Sequence, residues 1–341
     1  MAKAPNKKDL AWPLFDAVVA QSPKRAVNPW NGDIYEPDYD TLARLLAVPL
    51  SLDAKTTSGV PALAMDVWVA YELRRAGLEE DWVWPRAEAP RIISRDILRF
   101  VQGLPKALRN QVFLRLRQGK TNGTTGASAK LLGKNYVKQV DVVVSAWETG
   151  PEVLISTKRM DSSFGNNASN RIEESYGDAK NLRLRYPQAA CGFLFGLRST
   201  AWDKKAKKGE ASIADRLVDL LAKLGEEPDA YHATALVVPE YAGKAPDEDD
   251  TGTVEDDAAE DQGEDEDLPG VESEESVDVD LDVDAALATL PEVRLRQDLV
   301  PPGVDSARFF AVILDTVLRN TPVNYHRTAR RLREGGPRQE P

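Results

Sequence analysis

An aspartate stands inside an apolar run, Val140-Asp141-Val142-Val143-Val144, and the next apolar run ends on Ser156-Thr157-Lys158. Unpaired charge in a dry interior costs several kcal/mol. Two consecutive strands that carry a carboxylate and an ammonium must therefore fold so that the charges meet each other, water or a ligand. Tyr136 to Ser145 is valine-rich and β-branched, which reads as a strand. Trp147-Glu148-Thr149-Gly150-Pro151 reads as a turn, and Glu152 to Lys158 as the return strand of a hairpin. Alternation places Ser156 and Lys158 on one face, with Ile155 and Thr157 on the other. It also groups Gln139, Asp141 and Val143 opposite Val140, Val142 and Val144. Asp141, Ser156 and Lys158 are then expected to converge at the edge of the hairpin. A carboxylate there suits a hard divalent cation, since magnesium takes one or two protein carboxylates plus water and phosphate. The lysine can orient or help deprotonate an attacking water while the metal offsets charge on a phosphate.

Downstream, Asn170 to Arg183 spaces Ile172, Ser175/Tyr176, Ala179 and Leu182 as the buried stripe of a helix that also carries Glu173 and Glu174. The whole arrangement resembles the PD-(D/E)XK nuclease superfamily, which includes many restriction endonucleases. The family pattern is an aspartate on one strand and an acidic residue, any residue, then lysine on the next. Asp141 and Lys158 match it, with fourteen residues between Asp141 and Ser156. The acidic position is Ser156, and the usual proline before the aspartate is Val140. A branch of restriction enzymes has serine here and recruits a glutamate from the following helix, which makes Glu173 and Glu174 the candidates. The resemblance spans Val67 to Leu197. It implies a magnesium site, with manganese able to substitute, held by Asp141 and one of Glu173 or Glu174. It further implies Lys158 at the attacking water and Ser156 lining the site. Family members also place a helix before the first core strand, sometimes with a glutamate facing the metal; Glu72 matches, although its residue type alone suggests a surface position. A plain cross-strand ion pair and a solvated helix face would account for the same residues without chemistry.

Charge supports a polyanionic partner. The chain is formally −11, but Asp247 to Asp284 holds 20 of its 55 acidic residues and none of its 44 lysines and arginines, which leaves the remainder at +9. A basic body is the footprint of a nucleic-acid binder. Arg115, Arg117, Lys120, Lys130, Lys134 and Lys138 precede the Asp141 strand among several glycines, where backbone and ammonium donors can approach phosphates. Arg171, Lys180, Arg183 and Arg185 decorate the helix, and Lys204, Lys205, Lys207 and Lys208 form a further run. The acidic tract has too little apolar surface to order itself and reads as a disordered, solvating insertion at 244–285. A second role, as a competitor of DNA on the basic surface, is also open to it.

The expected organisation is a partly helical extension over 1–60, a nuclease-like core over 61–243, the insertion, and a strand with helices over 286–341. Helices are expected over 39–46, 61–76, 92–116 with a break at 103–105, 212–224, 305–320 and 326–333. Strands are expected near 82–86, 189–195, 232–238 and 293–299. This is an α/β fold with a mixed central sheet flanked by helices, ordered α-β-β-β-α-β in its core. Its single cysteine, Cys191, lies in an apolar strand and excludes an intramolecular disulfide; His232 and His326 suggest no ligand pair. No apolar run is long enough to span a membrane, and no secretory signal opens the chain, so a cytoplasmic protein is expected. The functional expectation is a magnesium-dependent DNA endonuclease of restriction or anti-phage defence, acting on double-stranded DNA as a possible homodimer with defence partner proteins. A catalytically inactive DNA-binding or assembly protein on the same scaffold is the alternative. An RNA-directed nuclease is disfavoured by the lack of aromatic platforms.

Overall fold

The computed structural model describes residues 6–117, 125–126, 129–162, 164, 166–203, 212–245 and 281–337. Lys120, the lysines at 204–208 and the acidic tract from 246 to 280 lie outside the described residues.

Helix α1 (Lys7–Ala20) starts where the Asn6 side chain accepts from the N–H groups of Lys8 and Asp9. A short hairpin, β1 (Trp30–Asn31) and β2 (Ile34–Tyr35), leads into α2 (Tyr39–Ser51), capped by Asp38. Helix α3 (Val60–Arg75) buries 13 of its 16 residues, so it runs through the core rather than along its surface. β3 (Val83–Trp84), β4 (Ile92–Ile93), α4 (Arg95–Gln102), α5 (Lys106–Arg117) and β5 (Thr125–Gly126) follow. Next comes a two-stranded ribbon, β6 (Ala129–Leu132) with β7 (Val137–Val140), then the hairpin β8 (Val142–Ala146) and β9 (Gly150–Met160). Helix α6 (Asn166–Arg183) crosses over to β10 (Ala190–Leu197), and α7 (Ile213–Glu226) to β11 (Ala233–Val237). The chain ends with β12 (Pro239–Tyr241), α8 (Val283–Ala288), β13 (Val293–Leu295), α9 (Ser306–Asn320) and α10 (Arg327–Arg333).

The central sheet has five strands in the order β11-β10-β9-β8-β3. β3, β8 and β9 are antiparallel neighbours, whereas β9, β10 and β11 are parallel, as the helical crossovers require. The molecule is thus α/β with a mixed sheet between helical layers, as the order of elements predicts. One apolar layer joins α1, α2, α3 and α9 to Val142, Val144, Val153, Ile155, Leu194 and Ala235. The other joins α6 and α7 to Val143, Leu154, Phe193 and Phe195. The N-terminal helices therefore share a core with the sheet. The segment expected as a strand near 293–299 pairs only over Val293–Leu295, and with β12 outside the central sheet.

Two further departures concern the site. The strand expected from 136 to 145 is broken: β7 ends at Val140 and β8 begins at Val142, with Asp141 at the bend between them. Alternation fails there, so Val140 joins the layer of Val143 instead of that of Val142 and Val144. Glu72 is fully buried rather than at the surface. It accepts from the Tyr35 hydroxyl at 2.7 Å, the Asp38 N–H at 2.7 Å and Arg75 Nε at 2.9 Å, so its carboxylate binds α3 to the N-terminal segment.

Candidate active site

Strand β9 outlasts its neighbour. The β8 ladder begins with Val142 opposite Ile155, while β10 accompanies β9 to Met160. Ser156 to Met160 are thus paired on one side only, and Asp141 lies at the mouth of the gap. Its Oδ2 accepts the Thr157 main-chain N–H at 2.7 Å, taking the place of a carbonyl in the broken ladder. This substitution of side chain for main chain accounts for the bend. The Thr157 side chain turns toward α3, where its hydroxyl donates to Asp66 Oδ1. One threonine therefore ties together carboxylates from two elements that are 75 residues apart in sequence.

Sequence reasoning missed Asp66. A usable signal was there: Met65-Asp66-Val67-Trp68 places a carboxylate in an apolar run, as Val140-Asp141-Val142 does. Amphipathic periodicity could not mark its direction, because α3 is buried on nearly every side. Asp66 is pushed well above the usual carboxylate range, by burial first and then by the Asp141 charge; the Thr157 hydroxyl, Lys158 and Lys8 oppose the shift. Asp141 is raised as well, chiefly by burial, with Lys158, the Thr157 N–H and Lys138 opposing and Asp178 adding to the rise. The two acids and Lys158 thus share one electrostatic field.

Lys158 is partly exposed and follows Ser156 on the α6 side of β9. Ser156 is only 6 % exposed and lies near the Tyr231 hydroxyl, so it is buried rather than presented to a ligand. On α6, Ile172, Ser175, Ala179 and Leu182 form the expected buried stripe. Glu173 and Glu174 are both exposed, and Glu174 pairs with Arg171 at 3.5 Å. The acid of α6 that meets the strands is Asp178, which accepts from Lys138 at 2.9 Å and from the Tyr136 hydroxyl at 3.1 Å. Neither glutamate is tied to Asp141 by a protein contact among the described residues.

Of the candidate phosphate-contacting residues, Lys130, Lys134 and Lys180 are exposed. Lys138 is held by Asp178, and Arg183 Nη1 donates to the carbonyls of Pro228 and Ala230, which gives it a structural role. Lys130, Lys134 and Lys138 sit on the ribbon β6–β7 and its turn, not on a loop. The histidines do not meet. His232 Nδ1 accepts the Cys191 N–H at 2.9 Å, and His326 Nε2 meets Glu152 Oε2 at 2.6 Å. Burial pushes the Cys191 thiol up to about 12, as an inert core cysteine requires.

No group of three or more His, Cys, Asp or Glu is placed to hold a metal among the described residues. The carboxylates of Asp66 and Asp141 nevertheless fit a hard cation. Each spends one oxygen on Thr157, no protein donor among the described residues reaches the other, and burial disfavours their charge in the absence of a counterion. No helix among the described residues is long and apolar enough to cross a membrane. No protein-family model, curated protein or solved structure matches the chain.

Proposed function

We propose that the protein is a magnesium-dependent endonuclease of double-stranded DNA, built on a restriction-endonuclease-like core and acting in restriction or anti-phage defence. The observation that carries this reading is the broken ladder at Asp141, which leaves a carboxylate, the Asp66 carboxylate and the Lys158 ammonium in one field at an open strand edge. Structural ion pairs seldom gather two acids whose charge burial disfavours, whereas hydrolytic sites use such groups. The succession α3, β3, β8, β9, α6, β10, with β4 to β7, α4 and α5 inserted between β3 and β8, is compatible with the α-β-β-β-α-β order of that core.

Asp141 and Asp66 hold the cation, and the cation supplies Lewis-acid stabilisation of charge on the phosphate. Lys158 hydrogen-bonds the attacking water and assists its deprotonation. Ser156 supports Lys158 from below. Of the two glutamates, Glu174 suits the site better. It lies four residues before Asp178 and so on the same face of α6. Lys134, Arg171 and Lys180 draw in the phosphate backbone. The cytoplasm, a homodimer and defence partner proteins complete the reading.

A second reading, a catalytically inactive DNA-binding or assembly protein, is favoured by one observation: the residue at the family's acidic position is a serine buried against Tyr231. Incubation of supercoiled plasmid with the protein in magnesium, manganese or chelator separates the two. Metal-dependent nicking or linearisation supports the nuclease; salt-sensitive binding with intact plasmid in every metal supports the scaffold.

A further inference from the structure

The ribbon β6–β7 stands outside the central sheet and ends one peptide bond from Asp141. Its cross-strand pairs alternate in direction. Ala129 and Val140 are buried in the α6 layer, and Lys138, opposite Leu131, turns to Asp178. The other face is made of Lys130 opposite Gln139 and Leu132 opposite Val137, all exposed, with Lys134 at the turn. Leu132 and Val137 are 51 % and 50 % exposed although paired, which leaves an apolar step uncovered beside two ammonium groups.

This face is rigid. Asn181 of α6 is 1 % exposed; its Oδ1 accepts the Asn135 and Tyr136 N–H groups, and its Nδ2 donates to the Tyr136 carbonyl. Gly133 permits this seat, because a Cβ there would collide with the Asn181 side chain. Tyr186 lies three residues past the end of α6, and its hydroxyl donates to the Leu132 carbonyl. Leu132 and Val137 are thus presented together on an anchored ribbon, beside Lys130 and Lys134.

Lys130 and Lys134 stand exposed on this ribbon, and residues 129–140 contain no acid, so the partner carries negative charge. The major groove of B-DNA is about 12 Å wide and admits a two-stranded ribbon. Within it a glutamine pairs with adenine, a lysine with guanine, and an aliphatic side chain with the thymine methyl. We propose that Lys130, Leu132, Val137 and Gln139 form a base-reading face that enters the major groove and sets the register at which Asp141 meets the backbone. The inference rests on the nuclease reading for its substrate and extends it from cleavage to sequence recognition.

The test is selection from a random duplex library by the full-length protein, with calcium replacing magnesium, for wild type, Gln139→Ala, Lys130→Ala and Leu132→Ser. Affinity for the enriched duplex and for a scrambled one is then read by fluorescence anisotropy, with melting curves as a folding control. Wild type should enrich a defined sequence. Gln139→Ala should lose the preference at one or more positions and weaken binding to the enriched duplex about tenfold. Its affinity for the scrambled duplex should be unchanged. An identical enriched sequence in all variants, or none in wild type, would overturn the inference and leave the nuclease reading intact. A change confined to sedimentation of Leu132→Ser would overturn it in favour of a contact between copies. Absence of any DNA binding would remove both.

Discussion

Asp66 and Asp141 are joined through a single residue: the Thr157 hydroxyl donates to Asp66 Oδ1 and the Thr157 N–H to Asp141 Oδ2. Asp66 reaches this residue from α3 and Asp141 from the bend between β7 and β8, so the charge of one bears on the other. The Asp141 charge is the largest influence on Asp66 after burial itself.

The first prediction follows from that shift. The folded chain keeps a proton on Asp66 to higher pH than the unfolded chain does. Stability linked to this group is complete below the unfolded carboxylate value, near 3.9, and is lost as pH rises through the raised folded value. Asp66→Asn removes the loss while leaving an oxygen to accept from Thr157. The variant should melt higher than wild type at about pH 7.5, and the gap should close near pH 4, in thermal melts followed by circular dichroism.

Divalent cations should act in the same window. A cation that favours ionised Asp66 and Asp141 binds the folded state alone, so millimolar manganese should raise the melting temperature at neutral pH and have little effect near pH 4. The increment should vanish in Asp141→Asn and shrink in Asp66→Asn, as differential scanning fluorimetry would show.

Glu72 should behave as a structural acid. Its truncation removes the carboxylate that accepts from Arg75 Nε, on a side chain 2 % exposed, and from the Tyr35 hydroxyl. Glu72→Ala should cost about 3 kcal/mol in urea denaturation. The cleavage rate per folded molecule should stay at the wild-type value, which is what separates this residue from Asp66.

The α6 glutamates should divide. Glu174→Gln should lower the single-turnover cleavage rate about 100-fold, a loss typical of a group that acts at the reacting centre. Glu173→Gln should stay near wild type. Equal losses, or none, would remove α6 from the site.

Much of this architecture was legible in the chain. The valine-rich runs around a Gly-Pro turn announce the β8–β9 hairpin, and the stripe from Ile172 to Leu182 announces α6. Ser212 with Asp215 closes a capping box at the head of α7, and Asp305 caps α9. The bend at Asp141 was not legible, since it depends on a side chain replacing a ladder carbonyl, and periodicity treats every residue of a strand alike. Asp66 escaped for a related reason. A helix buried all round has no polar face against which an inward acid stands out, and Glu72 in the same helix matched the family pattern equally well as a residue type. The inward turn of Lys138 onto Asp178 likewise depends on ribbon register, which charge counting cannot supply.

The most direct test of the nuclease account is single-turnover cleavage of supercoiled plasmid in magnesium by wild type, Asp141→Asn and Lys158→Ala, with melting curves confirming that each is folded. Wild type should cut only when metal is present, and both substitutions should abolish the cutting. Cutting that survives either substitution, or that persists in chelator, would contradict it.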